Sequence, residues 1–322
     1  MKEQNTFDVS TYIAAPEEAV YEYLCELKNL GEWTLYSRMQ KQMDEATWWG
    51  TASGYPEGLY YHVKPLEIPH FKAIEWSCGV EYQKYYQVYP ALLFSPSFIE
   101  PGSTEEGTYF HWISFADPKK RPARFMDLLP IVHTSECRSL KAAMERKAGH
   151  GDAVRGKYRL DGDTMYIDVP IEDALEYLAD LRNMDDWAHL LQADGEVQPL
   201  HGSFRDEYNK RVEARISIEQ AAGFYTVEYD LFYPDFNYHE RSVTLLMPTA
   251  YVFADPDSVG FIHHRITFWP VHGLPPHGKQ CMEDYSSESL NIKRLLEVRF
   301  GKSRFLHTEF SYVPGVQDLV AE

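Results

Sequence analysis

Two tandem α+β domains are predicted for this 322-residue chain. Three observations carry the prediction. The first is a repeat. Residues 14–33 read AAPEEAVYEYLCELKNLGEW and residues 168–187 read DVPIEDALEYLADLRNMDDW, so that Pro16 pairs with Pro170, Tyr23 with Tyr177, Asn29 with Asn183 and Trp33 with Trp187 at a constant step of 154. The second is that the match continues downstream with small deletions. Phe71, Ile74, Glu75 and Trp76 pair with Phe224, Val227, Glu228 and Tyr229; His111, Ile113 and Phe115 pair with His264, Ile266 and Phe268; Glu136, Leu140, Lys141, Met144, Glu145 and Gly149 pair with Glu288, Ile292, Lys293, Leu296, Glu297 and Gly301. A period this long is a whole domain rather than a solenoid unit. The third is the order of patterns within each copy: strand, two small helices, a long strand-rich run, one long helix. A helix laid across a curved antiparallel sheet is an α+β architecture, and the gap between the layers is the natural place for a ligand cavity.

Each element has a local cause. Phe7, Val9 and Ile13 in the first copy, and Met165, Ile167 and Val169 in the second, belong to alternating segments that read as strands. Pro16 and Pro170 fall at a first helical position, where the missing N–H costs nothing. Glu17 and Glu18, and Glu172 and Asp173, suit the positive end of the helix that follows. Val20, Leu24 and Leu27 recur at helical spacing, as do Ala174, Leu178 and Leu181. Asn29 and Asn183 then break the helix, and a short second helix carries Trp33 and Trp187 inward. Strand-like sequence rich in Tyr, Phe, Trp, Val and Thr occupies about 48–116 and 204–269. Each copy closes on a helix of about five turns. Cys137, Leu140 and Met144 form the apolar stripe of one, Tyr285, Ile292 and Leu296 that of the other, and Gly149 and Gly301 stand at the caps. The expected boundaries are domain 1 at 1–150, a polar Gly-rich linker at 151–162 and domain 2 at 163–322.

Composition narrows the function. The net charge is −18, and a uniformly acidic chain repels phosphate backbones, so no nucleic-acid partner is expected. The four cysteines have no paired spacing, no apolar run reaches the length of a membrane span, and the start MKEQNTFDVS lacks a signal-peptide core. These features lead to the expectation of a soluble cytoplasmic protein. Aromatic residues make up 15% of the chain, with 23 tyrosines, which suits either a cavity wall for a flat ligand or ordinary sheet packing.

The opening pattern of residues 7–33 and 164–187, a strand followed by a Pro–acidic–helix–Asn–Trp run, resembles that of the START-like helix-grip superfamily, also called SRPBCC. The resemblance implies a helix-grip fold with a hydrophobic ligand held beneath the C-terminal helix of each copy. Tandem copies look like the didomain aromatase/cyclases of aromatic polyketide (antibiotic) biosynthesis. That likeness implies aldol cyclisation and dehydration of a poly-β-keto chain on an acyl carrier protein. The segments after Trp33 and Trp187, TLYSRMQ and AHLLQAD, lack the prolines common there. The alternative is a non-catalytic carrier of a hydrophobic small molecule.

Candidate site residues follow from alternation. Tyr109, His111, Ile113 and Phe115 share one face of the last strand of copy 1, as Ile262, His264, Ile266 and Phe268 do in copy 2. The more apolar face is expected to point at the cavity. His111 and His264 are therefore the candidate proton-transfer residues, with a hydrogen-bonded core role as the alternative. Trp76 and Tyr229 share a face with Ile74 and Val227 and are candidates for stacking on a ligand, or for plain packing. Glu75 and Glu228 would then be solvated on the outer face. Tyr82, Tyr86, Tyr109 and His239 are further candidate substrate contacts, since a cavity tyrosine can hydrogen-bond a developing enolate. Lys119, Lys120, Arg121 and Arg124 form a basic cluster before the first long helix, which is either a carrier-protein contact or a solvated loop. His263 and His264 are strand neighbours facing opposite ways, and no ligand set with metal spacing occurs on a regular element, so no metal and no cofactor are expected.

Overall fold

The computed structural model describes residues 5–52, 55–85, 87–116, 123–150, 154–188, 190–221, 223–253, 257–272 and 278–302. They form two compact units, 1–160 with 251–256 and 161–250 with 257–322. The first run of elements is β1 (Asn5–Ile13), α1 (Glu17–Cys25), a 3-10 turn (Leu27–Asn29), α2 (Leu30–Trp33), β2 (Arg38–Gln42), β3 (Thr47–Ala52), β4 (Tyr55–Leu66), β5 (Lys72–Gly79), β6 (Gln87–Phe94), α3 (Pro96–Ile99), β7 (Thr108–Ala116) and α4 (Ala123–Lys147). The second run is β8 (Tyr158–Ile167), α5 (Ile171–Leu178), a 3-10 turn (Leu181–Asn183), α6 (Met184–Trp187), β9 (Leu191–Ala193), β10 (His201–Asp206), β11 (Arg211–Ala221), β12 (Phe224–Tyr233), β13 (Tyr238–Pro248), α7 (Thr249–Phe253), β14 (Phe261–Pro270) and α8 (Gly278–Arg299). Each run makes a seven-stranded antiparallel sheet, in the order β1-β7-β6-β5-β4-β3-β2 and β8-β14-β13-β12-β11-β10-β9. The fold is the expected α+β pair of sheets with helices. The first strand closes on the last, which pulls the chain ends of each copy together beside the long helix.

The repeat is visible in matched hydrogen bonds as well as in sequence. Asn29 Nδ2 donates to the Tyr23 carbonyl and Asn183 Nδ2 to the Tyr177 carbonyl, both at 2.9 Å. Each asparagine ends its helix by satisfying a carbonyl that has no helical partner. The Tyr23 hydroxyl donates to Glu32 at 2.9 Å and the Tyr177 hydroxyl to Asp186 at 2.8 Å, tying α1 to α2 and α5 to α6. Lys141 and Lys293 donate to the Tyr12 and Tyr166 carbonyls at 2.6 Å each, pinning the long helices to β1 and β8. Gly149 and Gly301 adopt φ of +85° and +71°, the left-handed caps expected of them.

Four details differ from the sequence reading. Pro16 and Pro170 are the N-caps themselves, one residue before the first helical position. The long helices are longer than five turns, at 25 and 22 residues. The short helices α3 and α7 interrupt the strand-rich runs. Glu75 and Glu228 are buried rather than solvated, because the second face of each sheet is covered too. On that face of unit 1, Phe71, Phe94 and Phe98 pack with ring centres 4.9–5.6 Å apart, and the Tyr251 hydroxyl donates to Glu75 within the same unit.

The inner face of sheet 1 carries Ile74, Trp76, Cys78, Ala91, Leu93, Phe110 and Trp112 against Leu24, Leu27, Trp33, Cys137, Leu140 and Met144. The corresponding core of unit 2 joins Val227, Tyr229, Leu231 and Leu246 to Leu178, Leu181, Trp187, Ile292 and Leu296.

Candidate functional site

Unit 1 is hollow between its sheet and its long helix. A cavity of about 240 Å³ lies there. Its walls come from five places. The 3-10 turn and α2 give Leu27, Leu30 and Trp33; β3 and β4 give Ala52, Tyr55, Leu59 and Tyr61; β5 gives Trp76 and Cys78; β6 and β7 give Tyr89 and Trp112; α4 gives Leu129, Val132, His133 and Glu136. Tyr36 and Leu128 line it and are also exposed, which places the mouth between the α2–β2 connection and the first turns of α4.

The sheet wall is aromatic, and α4 adds two polar side chains, His133 and Glu136, beside Leu129 and Val132. Trp33, Trp76 and Trp112 form a triangle with ring centres 5.8–5.9 Å apart, in tilted or edge-to-face contact, the favourable arrangement for indole quadrupoles. Trp76 Nε1 donates to the Leu24 carbonyl at 3.4 Å, which fixes its orientation. His133 stacks on Trp112 with centroids 4.2 Å apart and planes within 14°, and its Nδ1 shares a hydrogen bond with Ser114 Oγ at 2.8 Å. Burial pushes the imidazole down to about 4, so it is neutral at pH 7.

Glu136 follows His133 by one helical turn and faces the same cavity. It is only 5% exposed. One carboxyl oxygen accepts the Leu35 N–H at 2.9 Å, just past the end of α2; the other has no hydrogen-bond partner among the described residues. Desolvation raises this carboxyl to about 7, against the backbone bond that pulls it down. A carboxyl that is half ionised at neutrality inside an apolar chamber is suited to proton transfer. The sequence reading paired Glu136 with Glu288 but gave neither a role. The signal available in sequence was that pairing, together with the i, i+3 spacing of His133 and Glu136.

In unit 2 the described residues line a void of about 30 Å³ beside α8. It is lined by Trp187, Leu231, Tyr233, Arg265 and Glu288 among others. The step that pairs His111 with His264 also pairs Trp112 with Arg265 and Cys78 with Leu231. The Arg265 guanidinium reaches across the interior, donates to Glu288 at 2.7 Å and lies 5.9 Å from the ring centres of both Trp187 and Tyr229.

The predicted site residues are placed as follows. Trp76 lines the unit 1 cavity. Tyr229 lies in the unit 2 core against Trp187, and its hydroxyl donates to the Leu178 carbonyl at 3.2 Å. The expectation that His111 and His264 point into cavities is corrected. Both are fully buried on the opposite face of their sheets, where Nδ1 of each shares a hydrogen bond with the neighbouring first strand, with Ser10 at 2.7 Å and with Thr164 at 2.6 Å. Tyr109 shares that far face; it packs on Tyr12, and its hydroxyl accepts the N–H groups of Lys157 and Tyr158. The alternation was misassigned because β7 is buried along both faces, so neither face is marked by polarity. Tyr82 sits in an exposed turn and donates to Asp44 at 2.6 Å, away from the cavity. His239 is half-buried beside Asp230 and stacks on Phe232, apart from the residues lining the unit 2 void. Tyr86, Lys119, Lys120 and Arg121 lie outside the described residues, as do the side chains of Arg124 and Tyr285. Among the described residues, no group of three or more His, Cys, Asp or Glu is placed to hold a metal, and no helix is long and apolar enough to cross a membrane.

The chain belongs to the family described as Domain of unknown function (DUF8713), which matches residues 2–153 and 160–304. No curated protein matches the sequence. Among solved structures it is similar to the di-domain ARO/CYC StfQ from the steffimycin biosynthetic pathway, at 13% identity, with 92% of this chain and 99% of that chain covered and a TM-score of 0.34. It is similar to the di-domain ARO/CYC BexL from the BE-7585A biosynthetic pathway, at 13% identity, 96% and 99% coverage and a TM-score of 0.32. Over 46% of its length it is similar to the whole of protein MLL2253 from Mesorhizobium loti, at 12% identity and a TM-score of 0.31. Likenesses at this level match no residue here to a residue there.

Proposed function

We propose that unit 1 binds a hydrophobic, ring-bearing or ring-forming small molecule in its cavity, and that Glu136 exchanges a proton with it. The observation that carries this reading is a carboxyl raised to about 7 in a chamber walled by three tryptophans and open at one end. In its finer form the reading is an enzyme like the polyketide aromatase/cyclases that the repeated opening motif resembles. The cavity holds a flexible carbonyl chain in a folded, reactive geometry, the indole faces stack on the closing ring, and the carboxyl moves protons during enolisation and water loss. Glu136 takes the role first expected of His111 and His264, because it lines the cavity and they do not. Unit 2, where Arg265 pairs with Glu288, has no ligand assigned to it in this reading. An acyl carrier protein remains the expected donor of such a chain, with Lys119, Lys120, Arg121 and Arg124 as its proposed contact.

The test is turnover of a thioester-linked poly-β-keto mimic. Glu136→Gln should lower kcat by roughly 10²–10⁴-fold with KM little changed, the usual loss on removing a general acid–base. His111→Gln, in a fold confirmed by thermal melt, should keep its rate. Unchanged product formation by Glu136→Gln would remove the carboxyl from the reaction; no turnover above background by the parent chain would leave the alternative of a carrier that catalyses nothing.

A further inference from the structure

The two copies differ at one point that bears on ligand chemistry. Unit 2 shows how its long helix satisfies a buried carboxylate: Glu288 accepts from Arg265, and the guanidinium lies over the faces of Trp187 and Tyr229. A cation between aromatic faces and a carboxylate is held by ring quadrupoles and charge together. Unit 1 keeps the surroundings of that cation. Glu136 stands for Glu288, Trp33 for Trp187 and Trp76 for Tyr229. The cation itself is gone, since Trp112 occupies the position of Arg265. Among the described residues, no lysine or arginine lines the unit 1 cavity. Its two histidines offer no substitute, since burial lowers both His133 and His62 and favours their neutral forms. One Glu136 oxygen accepts the Leu35 N–H and the other has no partner among the described residues.

We infer that the unit 1 cavity takes a small organic cation, a protonated amine on a ring-bearing apolar body, with the ammonium against Glu136 and the rings against Trp33, Trp76 and Trp112. Such a ligand supplies from outside the charge that Arg265 supplies from within unit 2. The net charge of −18 raises the local concentration of cations around the chain and favours their entry. The inference rests on the cavity reading rather than on the reaction. An ammonium beside Glu136 holds the carboxyl ionised, so a bound cation and a proton exchanged with a neutral substrate are separate states of one site.

The test compares 1-naphthylmethylamine with 1-naphthylmethanol, two probes of nearly equal shape of which only the first is charged. The full chain is titrated with each at pH 8 and pH 6, following quenching of tryptophan fluorescence. The amine should bind about tenfold or more tighter than the alcohol at pH 8, as a desolvated cation facing both carboxylate and rings does. The preference should shrink at pH 6, where Glu136 takes up its proton, and vanish in Glu136→Gln while alcohol affinity stays within about twofold. Equal or tighter binding of the alcohol at pH 8, or a preference that survives in Glu136→Gln, overturns the inference and leaves the cavity reading standing. If neither probe binds at either pH, the cavity reading falls with it.

Discussion

Glu136 shows how one residue reports on its surroundings through protons. Its carboxyl is raised to about 7 by burial, so between its ordinary value of 4.5 and 7 the folded protein keeps a proton that the unfolded chain releases. Stability is therefore full below pH 4.5 and falls as pH rises through 7. Glu136→Gln has no proton to lose. Its urea-unfolding free energy should match the parent at pH 4.5 and exceed it at pH 8 by up to ~3 kcal/mol, the equivalent of the shift. Parallel pH profiles for parent and variant would contradict the assignment. The sequence carried part of this site. Trp33 and Trp76 were legible as inward-facing because they sit in a repeat and on helix and strand patterns with one polar side. His111 was misplaced because β7 offers no polar side to compare, so period-two alternation names two faces without saying which is inner. Glu136 was legible as a matched residue but not as a buried one, since a glutamate on a helix is usually solvated.

At the scale of elements, the two copies show one scaffold with opposite interiors. The β14–α8 pair carries the Arg265–Glu288 bridge beside Leu231 of β12, where the β7–α4 pair carries Trp112 and Glu136 beside the smaller Cys78 of β5. A buried pair of this kind is sensitive to losing one member and tolerant of losing both. Arg265→Met should destabilise the chain by about 3–5 kcal/mol in urea unfolding, because Glu288 is left charged in an apolar core. Adding Glu288→Leu should recover most of that loss. A double variant no more stable than the single would mean that the pair is not what fills unit 2. Element order and the paired asparagines and glycines were readable in advance because local backbone chemistry fixes them. The extra helices α3 and α7 were not, since four- and five-residue turns of helix leave too short a period to separate from loop sequence.

For the molecule as a whole, duplication followed by divergence leaves a chamber of about 240 Å³ in unit 1 and, among the described residues, a void of about 30 Å³ in unit 2. The seven-stranded order is common to both, and the proposed ligand belongs to the unit 1 chamber. Native mass spectrometry of the full chain with saturating 1-naphthylmethanol measures this most directly. The account predicts a single bound probe per chain, unaffected by Arg265→Lys and lost when Ala52→Trp fills the unit 1 chamber. Two bound probes, or one that persists in Ala52→Trp, would contradict it.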